Sequence, residues 1–146
     1  MPAELAPVCP DDAAEVRAVL ARYAHVIDTR AWHRLGEVFT PDVAFAAVTG
    51  FDALAARIGS VTPYHPHHTT NTLLGALPDG RIRAWSKYVI VRDDGTAGSG
   101  DYRDTLVRTA DGWRITRREI SRGHRDATDP GGASERNWTF VAFRDA

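Results

Sequence analysis

The sequence predicts an α+β fold, with N-terminal helices packed on one face of a curved antiparallel sheet. Two observations carry this expectation. Val16, Val19, Leu20, Tyr23 and Ile27 recur at three- and four-residue intervals, the period of an amphipathic helix. From His67 onward, four apolar and β-branched runs are separated by Pro78-Asp79-Gly80, Asp93-Asp94-Gly95 and Asp111-Gly112. Asp-Gly between strand-like runs is the strongest short-range hairpin signal a sequence offers. Helices first and a meander afterwards segregate the two layers, as α+β domains do.

Residues 1–10 contain three prolines and read as a flexible lead-in. Asp11 and Asp12 are good N-cap residues, and Glu15 adds favourable charge to the first turn, so a helix is placed from about Asp12 to Thr29. A shorter helical piece, Ala31 to Phe39, sets Trp32, Leu35 and Phe39 on one side. Thr40-Pro41-Asp42 reads as a stop and turn. Val43–Val48 is expected to be a short strand and Phe51–Ile58 a third helix. The long strands are placed at Thr69–Leu77, Ile82–Arg92, Gly100–Thr109 and Trp113–Ser121. Gly123–Ser134 reads as a loop and Trp138–Phe143 as a last strand or packed tail. A long sheet curved over a helix leaves a concave, apolar-walled pocket at its open end, which suits a small hydrophobic ligand.

Composition is that of an ordinary globular chain: 146 residues in one domain, 43% hydrophobic and 25% charged, with a formal net charge of −1. Acidic and basic residues are interspersed, which argues against nucleic acid or an anionic membrane as partner. No apolar run approaches the roughly 20 residues of a membrane span, and no signal peptide is apparent, so the expected location is cytoplasmic. The single cysteine, Cys9, supplies neither an internal disulfide nor a thiolate metal site.

Asp28 falls near the end of the first helix, at the edge of its buried face and beside the small residues Ala21 and Ala24. The helix macrodipole is negative there, so a half-buried carboxylate should be more basic than a free one. The bland alternative is a cap of the turn, or a pair with Arg30. The stretch Tyr64–Thr72, "YHPHHTTNT", places three histidines in four positions. Strand alternation puts His67, Thr69 and Asn71 on one face and His68 on the other. Pro66 biases His65 toward an extended loop. The spacing matches no metal-ligand pattern, so no metal is expected. A lone catalytic histidine fits better, because imidazole exchanges protons near neutral pH. Tyr23, Tyr88, Tyr102 and Trp85 are candidates to line the pocket, or to pack as core. Asp104 and Arg117 lie in adjacent strands, where they form either an internal ion pair or part of a site. No nucleophile elbow, phosphate loop or dinucleotide fingerprint is present, and Gly98-Ser99-Gly100 lies within a strand rather than in a nucleotide loop. No cofactor is expected.

"RYAHVIDTRAWHRLGEVFTPDVAF" (Arg22–Phe45), "HHTTN" and "GSGDYRDTLVRTADGWRITRRE" together resemble the SnoaL-like branch of the nuclear-transport-factor-2-like superfamily, over roughly Asp12 to Arg122. The resemblance implies a cone-shaped, cystatin-like fold, and homodimers or homotrimers. Nearest in motif are the scytalone dehydratase-type, cofactor-independent dehydratases. That likeness selects Asp28 as the carboxylate and His67 as the strand histidine it orients, with Asn71 later on the strand. Where those enzymes have a second catalytic histidine this chain has none, and Tyr102 takes the proton-donor or carbonyl-polarising role, with Tyr23 as its companion. Asn71, Trp85, Tyr88 and Asp104 complete the expected substrate site. The expected activity is general acid–base chemistry, dehydration or isomerisation, on a hydrophobic oxygenated small molecule. The alternatives are a SnoaL-type aldol cyclase and a non-catalytic ligand binder, in which Asp28 and His67 would lie out of hydrogen-bond reach.

Overall fold

The computed structural model describes residues 5–62 and 64–122. Helix α1 (Pro10–Asp28) buries Val16, Val19, Leu20, Tyr23, Val26 and Ile27, the stripe its periodicity announces. Its start differs from expectation. Cys9 is the N-cap and Pro10 the first helical residue, since the fixed φ of proline suits a position whose N–H has no helical partner. Asp12 turns instead toward the sheet, accepting hydrogen bonds from Trp113 Nε1 at 3.0 Å and from Arg108, while Glu15 accepts the Trp113 backbone N–H at 3.0 Å. These bonds pin the helix start to the last hairpin. Part of the lead-in is also held: Ala6 bridges Ala76 through both backbone bonds, 2.9 and 2.8 Å, and Leu5 lies over Gly75.

After α1 the chain reverses through Arg30, at φ +52°. A 3₁₀ helix (Trp32–Glu37) forms within the short helical piece expected at Ala31–Phe39. Strand β1 (Phe39–Phe45) begins earlier than Val43 and runs through Thr40-Pro41-Asp42, so these residues are not a stop. Pro41 is tolerated because pairing with β6 is irregular between Phe39 and Ala44, where no ladder bond from its nitrogen is required. The two-residue β2 (Val48–Thr49) and helix α2 (Phe51–Gly59) follow. The long strands are β3 (His67–Ala76), β4 (Ile82–Val91), β5 (Ala97–Thr109) and β6 (Gly112–Arg122). The sheet order is β2-β1-β6-β5-β4-β3, antiparallel except for the parallel β1–β6 pair. Helix α1 lies across the curved, unclosed sheet, against β3 and β6. The loop expected at 123–134 and the strand at 138–143 lie outside the described residues.

Two register shifts decide which side chains point inward. On β3 the shift falls between Thr70 and Leu73, with Asn71 in the left-handed region at φ +52°. It turns Asn71 to solvent, where its side chain only accepts from Thr70 at 3.1 Å. Asn71 therefore does not share the face of His67 as simple alternation requires. On β5–β6 the pairs run regularly from Thr109–Gly112 to Leu106–Ile115, then shift by one residue at Thr116. Unbroken pairing would oppose Asp104 to Arg117; the shift opposes it to Arg118.

Arg118 and Asp104 are both fully buried and form a two-pronged ion pair, each nitrogen–oxygen distance 2.7 Å. Arg117 instead meets Glu119 on the outer face, at 3.0 Å. A bidentate guanidinium–carboxylate pair is the geometry that best offsets the cost of removing two charges from water.

Replacing Asp104 by Asn should cost about 3–5 kcal/mol, because Arg118 is left as an uncompensated buried charge. Urea unfolding of that variant, beside the double change Asp104→Leu with Arg118→Met, should find the double variant the more stable of the two. At Asn71, Gly should be tolerated, whereas Val should cost about 1–2 kcal/mol for its left-handed backbone.

Candidate active site

At the open end of the sheet, α1, α2 and strands β1 and β3–β6 enclose a cavity of about 630 Å³. Its floor is aromatic. Tyr23 from α1, Phe45 from β1, Tyr88 from β4 and Tyr102 from β5 line it and are buried. Tyr88 stacks on Tyr102 with centroids 4.6 Å apart, and Tyr23 stands edge-on to Tyr102 at 5.7 Å. Gly100 makes room for this stack: a Cβ there would lie 2.0 Å from the Ser121 carbonyl and 2.7 Å from the Tyr88 hydroxyl. The Gly-Ser-Gly stretch is thus a clearance for an aromatic ring.

His67 lines the wall between this floor and the mouth, where α1 meets the first residue of β3. Asp28, the last residue of α1, lies behind it. The carboxylate accepts the His67 backbone N–H at 3.1 and 3.3 Å and contacts Nδ1 at 2.9 Å. Both side chains are little exposed, 22% and 23%. An ionised carboxylate accepts only, so it selects the tautomer with the proton on Nδ1. Nε2 is then the basic nitrogen, and among the described residues no hydrogen-bond partner engages it. Arg30 does not compete for Asp28; its guanidinium donates to the Gly59 and Val61 carbonyls at 3.1 and 3.4 Å.

Tyr64 and His65, from the loop before β3, also reach the cavity. Burial and the neighbouring Asp28 carboxylate push the Tyr64 phenol well above its usual range, yet its hydroxyl makes no aligned hydrogen bond within the described residues. His65 Nδ1 is likewise buried and has no partner among the described residues. Beneath the floor, the Arg118 guanidinium lies 4.0 Å from the ring centroids of both Tyr23 and Tyr102. Burial pushes both phenols up, and the arginine opposes that only in part. They therefore stay protonated at neutral pH, each keeping a hydroxyl proton to donate.

Of the residues the sequence singled out, Tyr23, His67, Tyr88 and Tyr102 converge on the cavity, with Asp28 supporting His67. Three do not. Asn71 is turned out by the β3 bulge. Trp85 lies on the opposite face of the sheet, donating to Asp101 at 3.0 Å with Lys87 over its ring at 5.0 Å. Asp104 is below the floor, consumed by Arg118. Of the histidines, His65 and His67 line the cavity, and His68 is exposed on the other face. No group of three or more His, Cys, Asp or Glu side chains among the described residues is arranged to hold a metal ion. Sequence reasoning missed Tyr64, Arg118 and the α2 wall with Arg57 and Ile58. Only the Tyr64–His65 adjacency to His67 offered a signal, since the shift that buries Arg118 leaves no mark in residue spacing. No α-helix among the described residues is long and apolar enough to cross a membrane.

A model of the SnoaL-like domain matches residues 11–119. The uncharacterised protein Rv2910c of Mycobacterium tuberculosis is 30% identical, over 73% of this chain and 82% of its own length. An NTF2-like protein with a cystatin-like fold from Novosphingobium aromaticivorans superposes with TM-score 0.69 at 25% identity, covering 92% of this chain and 90% of that one. A second structure from that organism, described as a candidate scytalone dehydratase, gives TM-score 0.65 at 21% identity over 84% and 95%.

Replacing Asp28 by Asn should remove the charge that fixes the imidazole. Nitrogen NMR of His67 should show one dominant tautomer, protonated at Nδ1, in the native chain and a mixture in the variant. Loss of the charge-assisted bonds should also lower unfolding stability by about 1–2 kcal/mol.

Proposed function

The chain belongs to the SnoaL-like domain family, and from that membership we propose that it is a cofactor-independent general acid–base enzyme, a dehydratase or isomerase acting on a hydrophobic, oxygenated small molecule. The observation that carries this reading is the 2.9 Å contact between Asp28 and His67 Nδ1 beside an aromatic cavity. It leaves one basic nitrogen on a side chain that lines the cavity.

In the proposed cycle, His67 Nε2 removes a proton from a carbon next to a carbonyl. The C–H electron pair moves into the enolate, whose oxygen accepts a hydrogen bond from Tyr102 or Tyr23. The imidazolium, stabilised by Asp28, then returns the proton. Delivered to a β-hydroxyl it releases water and leaves an alkene; delivered to another carbon it completes an isomerisation. A positioned base contributes roughly 10²–10⁴ in rate, and donors aimed at the developing oxyanion add to it in a site that excludes water. The polar side chains of Tyr64 and His65 in the cavity lining also favour an oxygenated ligand. The contact also runs against a non-catalytic binder, for which Asp28 and His67 would be out of reach. An aldol cyclase would share the same base and differ in substrate.

The test needs no knowledge of the natural substrate. Ring opening of 5-nitrobenzisoxazole requires only a base held against a flat aromatic C–H. The native chain should accelerate it, and His67→Gln should lower the rate by about 10²-fold or more while the variant stays folded by circular dichroism. Equal rates in the two proteins would sink the mechanism.

A further inference from the structure

We propose that the substrate carries an anionic group, a carboxylate or a phosphate ester, at the end that faces the cavity mouth, and that Arg57, Arg92 and Arg122 form the subsite for it. The inference rests on the acid–base reading for the identity of the ligand as substrate, and otherwise on the cavity alone.

Burial along the cavity has a direction. Tyr23 and Tyr102 at one end are each 2% exposed, while Val61 at the other is 51% exposed. Of the three arginines Arg57 and Arg122 are exposed and Arg92 is half-buried, which sets them toward the open end. They come from three separate places: α2, the residue after β4 and the last residue of β6. Among the described residues no carboxylate joins them in the lining, although the chain has 19 Asp and Glu against 18 Lys and Arg. The described lining is therefore a local concentration of one sign in a nearly neutral protein.

These arginines also differ from most others among the described residues. Arg34, Arg81, Arg103, Arg108, Arg117 and Arg118 all have acidic partners. Among the described residues Arg57 and Arg122 make no ion pair. Among the described residues Arg92 makes no ion pair within contact distance; it donates a long bond to the Thr96 hydroxyl, 3.4 Å, and lies close enough to Asp94 to join the Thr96 hydrogen bonds in lowering that carboxyl's pKa. The hydrogen bonds of Asp94 go to the Thr96 N–H and hydroxyl, at 2.9 and 2.7 Å. Gly98 leaves room for Arg92 against the wall, since a Cβ there would come within 2.9 Å of its Nη2. Guanidinium groups so placed suit the planar, multi-oxygen anions they bind in two-pronged fashion. An aromatic floor and a cationic mouth together fit an aromatic body with an anionic end group.

The probes are 2-naphthoate, 2-naphthyl phosphate and the neutral methyl 2-naphthoate, titrated against the full chain by quenching of its intrinsic fluorescence. At low salt at least one anion should bind about tenfold more tightly than the ester, and the preferred anion identifies the head group. The preference should shrink as salt is added, as it does for exposed charges. The triple variant Arg57→Gln, Arg92→Gln, Arg122→Gln should lose the preference while keeping the affinity for the ester. Arg57→Gln and Arg122→Gln alone, at exposed positions, should each remove part of it. Equal binding of anions and ester by the native chain, or a preference that survives all three changes, would overturn the proposal. His67→Gln should keep the anion preference, so a failed base and a failed anion site appear in different measurements.

Discussion

The buried pair of Arg118 and Asp104 is the constraint around which the interior is arranged. Two charges removed from water are tolerable only with near-ideal geometry, and the 2.7 Å two-pronged contact supplies it. The guanidinium is also enclosed by the rings of Tyr23 and Tyr102, which face it with the negative side of their quadrupoles. One side chain of β6 thus fixes a side chain of α1 and another of β5. The cavity floor is consequently not a patch of interchangeable apolar residues. Moving any of these groups would expose a cation to an apolar surrounding.

The second fixed point is the junction of α1 with β3. The Asp28 carboxylate binds both the backbone N–H and the ring of His67, so the link that starts the strand also aims the imidazole. Fold and site are the same contact here. An arrangement of this kind is rigid because it stands on helix and strand rather than on loops, which favours precise proton transfer. The reversal after Asp28, through a left-handed Arg30 whose guanidinium ties down the Gly59 and Val61 carbonyls, brings α2 up as the opposite wall.

Much of this was legible in the residues, and the reason is local. Apolar spacing places α1, and the Asp-Gly turns place β4, β5 and β6, because both signals depend on neighbours a few positions apart. Asp28 and His67 were found from a helix-end position and a family likeness. What escaped was what a one-residue register shift decides. The bulge near Asn71 turned a residue expected in the site to solvent, and the shift at Thr116 exchanged Arg117 for Arg118 as the partner of Asp104. Period-two reasoning carries every later side chain to the wrong face once one such shift is missed. Pro41 misled for a related reason, since an irregular pairing accommodates a proline that a regular ladder would reject.

Charge is distributed unevenly along the axis of the cavity, and this bears on how a substrate would lie in it. A buried cation sits under the phenols at the floor, and the arginines crowd the mouth. The histidine stands between them with its carboxylate turned away from the space. In the proposed reading, the enolate oxygen would develop negative charge at the floor, where Arg118 strengthens the phenols as donors without surrendering its own partner. An anionic end group would be drawn to the mouth and kept from the floor by the loss of hydration it would suffer there. The two positive regions then impose one orientation, with the acidic carbon brought level with His67. Repulsion between the substrate's own end group and the developing enolate is reduced by the length of the aromatic body that separates them. A site built in this way would bind its ligand largely through the rim and reserve the floor for charge that appears only as the proton leaves.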